Sequence, residues 1–137
     1  MILGTGIDMV EVSRMERILE ASWADRFLAR VFSPEEVDVC LRNARPSQAF
    51  SARFAAKEAL AKALGTGFSQ GVSPSNIVVR GGERQRPAIE LSGSALTEAK
   101  SRGVSRIHVS LSHTPTTACA VVIVEASDCG HNNYRIT

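Results

Sequence analysis

The chain has 137 residues, of which 44% are apolar and 22% charged, a composition that fits one globular domain with a modest core. A net charge of +2 and an aromatic content of 5% disfavour a nucleic-acid-binding protein, and no apolar run approaches the ~20 residues of a membrane-spanning helix. The three cysteines (Cys40, Cys119 and Cys129) form no metal-binding pair. The N-terminus has no basic segment followed by a long apolar stretch, so we expect a cytoplasmic protein.

The first part of the chain predicts a strand followed by helices. Residues 2–12 are rich in β-branched and apolar side chains, which favour a strand. Ser13 is placed to cap a helix over residues 13–22, with Glu16 at the spacing of a capping box. Residues 27–32 form a short apolar segment. Ser33 and Pro34 then predict a helix that ends near residue 43, because serine caps helices and proline is tolerated in the first turn.

The clearest predicted helix spans residues 46–64, where alanine is abundant and no glycine occurs before Gly65. Two strands (77–80 and 88–91), a helix (92–102) and two more strands (107–112 and 118–125) complete the pattern. Adjacent strands indicate hairpins, and therefore an α+β domain over residues 1–125 rather than a doubly wound sheet. The last strand is almost continuously apolar, so it should be central and covered on both faces. We expect the polar tail, residues 126–137, to be loosely held.

Two acids are candidates for chemistry. Asp8 lies in an apolar strand, where a carboxylate costs free energy unless it is paired, hydrogen-bonded or metal-bound. Its position alone favours a turn cap or an ion pair with arginine over a metal. Glu58 shares one stripe of the long helix with Lys62 and Gly65, although Glu58 and Lys62 also have the spacing of an ordinary ion pair. Two carboxylates with no histidine or cysteine nearby in sequence suit Mg²⁺ and not zinc.

Two basic residues are less clearly placed. His113 follows a predicted strand and precedes Thr114 and a proline, and a single histidine in that position is more often structural than functional. Arg53 lies well around the long helix from Glu58. If Arg53 and Glu58 contact one ligand, they contact distant parts of it or come from different subunits.

Four segments, in order, resemble the holo-[acyl-carrier-protein] synthase family of 4′-phosphopantetheinyl transferases. They are Gly-Ile-Asp-Met-Val-Glu-Val at 6–12, Arg-Val-Phe-Ser-Pro-Glu-Glu at 30–36, Arg-Phe-Ala-Ala-Lys-Glu-Ala at 53–59 with Lys62 and Gly-Thr-Gly at 65–67, and Val-Ser-Leu-Ser-His-Thr at 109–114. The resemblance implies the fold of that superfamily, with an antiparallel or mixed sheet packed against a long central helix. It also implies transfer of phosphopantetheine from coenzyme A to a serine of an acidic apo-acyl carrier protein, with adenosine 3′,5′-bisphosphate leaving.

The same resemblance implies roles for individual residues. Asp8 and Glu58 match the Mg²⁺ ligands and, with Lys62, the catalytic residues. The positions that match coenzyme A contacts are Arg45, Arg53, Lys62, Gly65, His113 and Thr114, and the positions that match the carrier-docking surface are Arg14, Arg26 and Arg30. The general base stays open between Glu58 and a hydroxide on the metal, and the preferred carrier (of fatty-acid, polyketide or peptide synthesis) stays open too.

The resemblance also has departures and consequences. Gln85-Arg86-Pro87 stands where family members commonly carry Gly-Lys-Pro, and Ala44 stands where a basic residue is frequent. Larger members of the superfamily join two such halves, so a chain of this size implies a homotrimer with sites at subunit interfaces. The sequence also argues against two other classes of protein. The joint presence of Asp8, Glu58 and Lys62 argues against a non-catalytic coenzyme A-binding module, and the few aromatics argue against an RNA-binding protein.

Overall fold

The longest helix of the described chain, α4 (Pro46–Leu64), packs against strands of both sheets and against other helices. The computed structural model describes residues 1–69, 71–82 and 84–127. The other elements, in chain order, are β1 (Ile2–Glu11), α1 (Val12–Glu20), α2 (Ala24–Val31), α3 (Pro34–Leu41), a 3-10 turn (Pro74–Asn76), β2 (Ile77–Gly82), β3 (Gln85–Leu91), α5 (Gly93–Ser101), β4 (Arg106–His113) and β5 (Thr117–Glu125).

All strand pairs in the described chain are antiparallel. One sheet has the order β1-β5-β4, and β2 and β3 form a separate hairpin. In the larger sheet Asp8 lies opposite Ala120, which in turn lies opposite Leu111. The helices pack against antiparallel sheets and do not alternate with parallel strands. The predicted α+β class is therefore confirmed.

Two glycines of β1 allow α4 to approach the sheet closely. A Cβ atom on Gly6 would lie 1.9 Å from the carbonyl oxygen of Ala59, and one on Gly4 would lie 2.1 Å from that of Ala63. Alternate residues of a strand share one face, so Asp8 follows Gly4 and Gly6 on the face that meets α4. The small residues therefore bring the Asp8 carboxylate directly against the helix.

Two apolar clusters hold the fold together. The larger one lies between α4, the sheets and α5. The smaller one lies among α1, α2, α3 and the start of α4, where the Phe32 and Phe50 rings meet edge-on with centroids 5.1 Å apart. Phe54 packs against both clusters. Cys40 is fully buried in the smaller cluster, and burial raises the pKa of its thiol to about 11, which keeps it protonated.

The start of α1 differs from the prediction. The helix begins at Val12, and its N-cap residue, Glu11, makes no side-chain capping hydrogen bond. The predicted Ser13 cap with a Glu16 capping box is therefore wrong. The backbone N–H of Val12 instead donates to the carbonyl oxygen of Thr116 at 2.9 Å. The β4–β5 turn thus satisfies an amide that a capping side chain would otherwise satisfy.

The next helices show where local signals were sufficient. The predicted capping box between Ser33 and Glu36 is confirmed by two reciprocal hydrogen bonds, and α4 has the predicted bounds, ending before Gly65 with φ of 80°. Residues 27–32, predicted only as an apolar segment, lie mostly in α2, which carries no side-chain N-cap. Without that signal the helix was not recognised.

The last strand, β5, is central, as its apolar sequence predicts, but one of its faces is open. Val121 is 37% exposed, and on the adjacent strand Ile7 is 60% and Met9 68% exposed. The prediction that both faces are covered is therefore wrong for the single chain. We call this surface the open sheet face and define it by Ile7, Met9, Cys119, Val121 and Ile123.

The two ends of the described chain meet beside β1. The Ala126 N–H donates to the Met1 carbonyl oxygen at 2.8 Å, and the Met1 amino group donates to the Ala126 carbonyl oxygen at 3.0 Å. Most of the predicted tail, residues 128–137 with Cys129, lies outside the described residues, and the domain boundary at residue 125 stays a prediction. No described helix has the length and apolar character needed to cross a bilayer.

Candidate active site

Asp8 meets α4 at its last turns, where Lys62 is its nearest cation. The Asp8 side chain is 11% exposed, and its Oδ1 accepts a hydrogen bond from Lys62 Nζ at 2.8 Å. Lys62 Nζ also donates to the Ile7 carbonyl oxygen at 3.1 Å. Asp8 Oδ2 is buried and has no hydrogen-bond partner among the residues that the structure describes. An unpartnered buried carboxylate oxygen is costly, so this atom is suited to a ligand.

The Glu58 carboxyl lies within hydrogen-bonding reach of the Asp8 carboxyl. Its pKa is raised to about 7, first by burial, then by the hydrogen bond with Asp8 and by the charge of Asp8, while Lys62 and Arg14 oppose the rise. The pKa of Lys62 is raised as well, and its hydrogen bond with Asp8 is the largest cause. Asp8 and Glu58 therefore concentrate negative charge at one point beside a cation.

This donor set fits Mg²⁺. Two carboxylates supply hard oxygen ligands, and Mg²⁺ typically takes one or two carboxylates and completes its shell with water and substrate phosphates. Asp8 Oδ2 is free to coordinate, and a divalent cation would relieve the repulsion that raises the pKa of Glu58. In the described ranges there is no cluster of three or more histidine, cysteine or acidic residues, which is the set that zinc prefers.

A second group of predicted site residues lines a cavity of about 440 Å³. We call it the basic cavity and define it by Gln48, Arg53, Arg86, Pro87 and His113. It lies between the first turns of α4, the β2–β3 hairpin and the end of β4. Arg53 and Arg86 supply guanidinium groups to this lining, which suits an anionic ligand. The hairpin residues Arg86 and Pro87 belong to the segment that departs from the family pattern.

Arg53 is the buried member of this cavity. It is only 7% exposed, and its Nη2 donates to the Gly81 carbonyl oxygen at 2.9 Å. Its Nε is buried and unpartnered among the described residues. Arg53 precedes Glu58 by five residues, which rotates it about 140° around α4. The structure therefore directs Arg53 to the hairpin and Glu58 to Asp8, and it does not bring the two together within one chain.

The β4–β5 turn is held against the start of α4. The Thr114 hydroxyl accepts hydrogen bonds from the backbone N–H groups of Thr116 and Thr117 at 3.3 and 3.1 Å, and the Thr114 carbonyl oxygen accepts one from Gln48 Nε2 at 3.1 Å. The exposed His113, which immediately precedes this turn, lines the basic cavity. Sequence reasoning did not find Gln48, whose role depends on a contact 66 residues away.

Arg45 and Gly65 lie at opposite ends of α4. Arg45 is the exposed N-cap residue, and its backbone N–H donates to Asn43 Oδ1 at 2.9 Å. Gly65 is exposed, and the nearest surrounding atom to a Cβ placed on it would be Arg102 Nη1 at 3.6 Å. The Gly65 backbone is therefore accessible to a ligand.

The three predicted docking arginines are all exposed, and Arg14 lies close enough to Glu58 to lower its pKa. On α1, Arg14 and Arg17 are three residues apart and therefore share a helix face, but Glu20 is equally close to Arg17 around the helix. Of these residues, Arg14 is the one that acts on the Asp8–Glu58 pair.

A buried ion pair supports the site from within. Lys57 Nζ, fully buried, contacts Glu36 Oε1 at 2.8 Å and donates to the carbonyl oxygens of Pro74 (3.0 Å) and Ile77. Glu36 Oε2 accepts from the Val79 N–H at 3.1 Å. These bonds join α3, α4 and β2. In the sequence, Glu36 was recognised only as a capping residue, because nothing local reveals a partner 21 residues away.

Most of the chain matches a known protein family. Residues 4–122 match the model of the 4′-phosphopantetheinyl transferase superfamily. The chain is 46% identical over 125 residues to the holo-[acyl-carrier-protein] synthase of Syntrophus aciditrophicus (strain SB), with 91% of this chain and 97% of that protein covered. This chain belongs to the holo-[acyl-carrier-protein] synthase family of that superfamily.

Solved structures of the family have the same fold. A crystal structure of holo-[acyl-carrier-protein] synthase from Neisseria meningitidis superposes with a TM-score of 0.80 at 35% identity, covering 91% of this chain and 99% of that one. The synthase from Bacillus anthracis, in complex with coenzyme A (3′,5′-ADP), superposes with a TM-score of 0.74 at 35% identity, covering 93% of this chain and 99% of that one. The predicted family fold is therefore confirmed.

Proposed function

We propose that this protein transfers the 4′-phosphopantetheine group of coenzyme A to a serine of apo-acyl carrier protein and releases adenosine 3′,5′-bisphosphate. The observation that carries the proposal is the Asp8–Glu58 pair beside Lys62, in a chain 46% identical to a holo-[acyl-carrier-protein] synthase. The pair and the lysine suit a pyrophosphate, whose reaction depends on positioning and charge neutralisation.

In the proposed reaction, the serine oxygen of the carrier forms a bond to the phosphorus that bears pantetheine, and the pyrophosphate P–O bond breaks. Lys62, a compact cation with a side chain 53% exposed, is the proposed group that neutralises charge on the leaving phosphate. The serine proton needs an acceptor. Glu58 is the proposed acceptor in this chain, because its carboxyl lies beside Asp8 and Lys62, where the pyrophosphate would bind.

Mg²⁺ is the proposed cofactor, held by Asp8 and Glu58, and it would supply positive charge to the pyrophosphate oxygens. Arg53 and His113 of the basic cavity, with Arg45, Gly65 and Thr114, are the proposed remaining contacts to coenzyme A. Arg14, Arg26 and Arg30 are the proposed contacts to the acidic carrier. A role in fatty-acid synthesis and a cytoplasmic location stay predictions of the sequence.

The direct test is a transfer assay. Apo-acyl carrier protein is incubated with coenzyme A, Mg²⁺ and the folded protein, and mass spectrometry is used to detect phosphopantetheine on the carrier. We expect modification of the wild-type carrier and none of a carrier whose acceptor serine is alanine. Chelation of the metal should stop the reaction and added Mg²⁺ should restore it. An unmodified wild-type carrier would contradict the proposal.

A homotrimer is the second part of the proposal. Its support is the open sheet face, where three apolar side chains of β1 and β5 are each more than a third exposed, and the rotation of Arg53 away from Glu58. If copies of the chain meet at the open sheet face, one copy's basic cavity is able to face another copy's Asp8–Glu58 pair, and one coenzyme A would then bridge both.

Two measurements test this assembly. Light scattering should show a trimer for the wild type and smaller species for Val121→Lys, while Leu41→Lys, at an exposed apolar residue of α3, should leave the trimer intact. Co-expression of Asp8→Asn chains with Arg53→Gln chains should recover part of the activity that each variant lacks alone, because mixed trimers contain some sites with both residues. A wild-type monomer with full activity would contradict the assembly.

A further inference from the structure

The only tryptophan of the chain, Trp23, lies at the corner between α1 and α2 and is 45% exposed. The edge of its ring contacts Phe27, with centroids 6.2 Å apart. Phe27 in turn meets Phe32 and Phe54 at 6.4 and 6.2 Å. The aromatic cluster therefore holds one side of the indole in place and leaves the other side in water. A single exposed apolar residue is common, so a second feature is needed to assign a role.

That second feature is a stripe of arginines beside the indole. Trp23, Arg26 and Arg30 follow one another at spacings of three and four residues, so they share one side of α2, while Leu28 and Val31 face the core. Both arginines are exposed. Among the described residues, neither guanidinium makes a hydrogen bond or an ion pair. The surface thus combines a fixed aromatic ring with two uncommitted cations.

This combination is typical of the residues that dominate binding energy in protein interfaces, where tryptophan and arginine are enriched. Free guanidinium groups favour carboxylates, and an indole favours an apolar side chain between them. The matching partner surface is an acidic helix with an exposed apolar residue. We propose that Trp23 is the apolar anchor of the carrier-docking surface, with Arg26 and Arg30 pairing to carboxylates around it. This inference rests on the proposed function.

The position of Trp23 agrees with such docking. Helix α1 joins the Trp23 corner to Arg14, which interacts with Glu58. The helix has nine residues and is therefore about 14 Å long at ~1.5 Å per residue. A carrier helix that contacts Trp23 is consequently close enough for the acceptor serine of the same protein to reach Asp8 and Glu58.

Because Trp23 is the only tryptophan, its fluorescence reports on this surface alone. An apo-acyl carrier protein without tryptophan is titrated into the wild-type protein. We expect a saturable blue shift of the emission, and no shift with coenzyme A and Mg²⁺ alone. A carrier that is modified by the protein but leaves the emission unchanged would overturn the inference. If the emission shifts when the protein is concentrated without any carrier, Trp23 lies between copies of the chain. That result would also overturn the inference.

Kinetics supply the second test. We expect Trp23→Ala to raise the KM for the carrier about tenfold, with kcat and the KM for coenzyme A unchanged, and Trp23→Phe to restore part of the loss. Leu41→Ala, at an apolar residue of α3 that is 58% exposed, is the matched control and should leave all three parameters unchanged. An unchanged carrier KM in Trp23→Ala would overturn the inference. If the wild type modifies no carrier, the proposed function fails instead.

Discussion

Two neighbouring residues of α4 belong to carboxylate–lysine clusters of opposite character. Lys57 lies in the buried cluster, where its three donors meet Glu36 and the carbonyl oxygens of Pro74 and Ile77. Glu58 lies in the partly exposed cluster, where it faces the like-charged Asp8. The first cluster has its hydrogen bonds made, and the second has an unpartnered carboxylate oxygen and a raised pKa.

The difference separates a structural role from a functional one. A buried charge is tolerated when its hydrogen-bond and ion-pair partners are present. Burial lowers the pKa of Lys57, and the charge of Glu36 and the hydrogen bond to it oppose that change. Asp8 and Glu58 lie together beside Lys62, and the second negative charge is compensated by a proton or by a cationic ligand. Perturbed carboxylates with unmet partners therefore mark the candidate site better than charge or burial alone.

The buried cluster should give the largest change in stability. Lys57→Met leaves the Glu36 carboxylate, 2% exposed, without its cation. We expect the free energy of unfolding in urea to fall by about 3–5 kcal/mol. Arg17→Met, which removes an exposed cation of α1, should alter it by no more than about 0.5 kcal/mol. Equal stability of the two variants would show that the buried pair is not what joins α3, α4 and β2.

Substitutions in the Asp8–Glu58 cluster should lower the reaction rate without lowering the stability of the fold. Asp8→Asn and Glu58→Gln should each slow carrier modification about 100-fold at limiting Mg²⁺, which corresponds to ~2.7 kcal/mol. The free energy of unfolding should stay unchanged or rise, because the repulsion between the two acids is removed. Asp38→Asn, which removes only an exposed acid paired with Arg42, is the control. Full rates for both Asp8→Asn and Glu58→Gln would refute the metal assignment.

The close contact of β1 with α4 should affect both the stability of the fold and the rate of carrier modification. In Gly6→Ala the added Cβ would meet the Ala59 carbonyl oxygen, so strand and helix must separate. We expect a loss of about 1–3 kcal/mol in the free energy of unfolding and a lower rate, because Asp8 moves relative to Glu58. Gly103→Ala is a control for the loss of a glycine, because no atom lies within 4 Å of the added Cβ. The φ of 78° at this position adds only local backbone strain. A normal rate in Gly6→Ala would show that the Asp8–Glu58 distance is not critical.

The smallest expected effect is a dependence of metal stabilisation on pH. The pKa of Glu58 is raised from 4.5 to about 7 in the folded chain, so between these values the folded state binds more protons than the unfolded state. The stability of the metal-free protein contributed by this group therefore falls as pH rises through that interval. Mg²⁺ competes with the proton that Glu58 binds, so it should raise Tm more at about pH 8 than at about pH 5.5. Glu58→Gln should remove this difference, and an equal Tm increase at both pH values in the wild type would contradict it.

Local sequence signals predicted the elements that depend on neighbouring residues. The Ser33–Glu36 capping box and the span of α4 needed only interactions within a few positions. The start of α1 depended on a hydrogen bond to Thr116, more than one hundred residues away, and so it was misplaced. Residues 24–31 form a helix without a capping side chain, and packing of Leu28 and Val31 into the core stabilises it instead.

For the site, the sequence alone determined the residue types, namely two acids and a lysine in segments typical of one family, with arginines around them. Helix periodicity placed Glu58 and Lys62 on one stripe because that relation is local. Only the tertiary structure decided that Gly4 and Gly6 admit α4, that Lys62 pairs with Asp8, and that Arg53 turns to the hairpin. These outcomes depend on contacts between residues far apart in the chain, which no local pattern specifies.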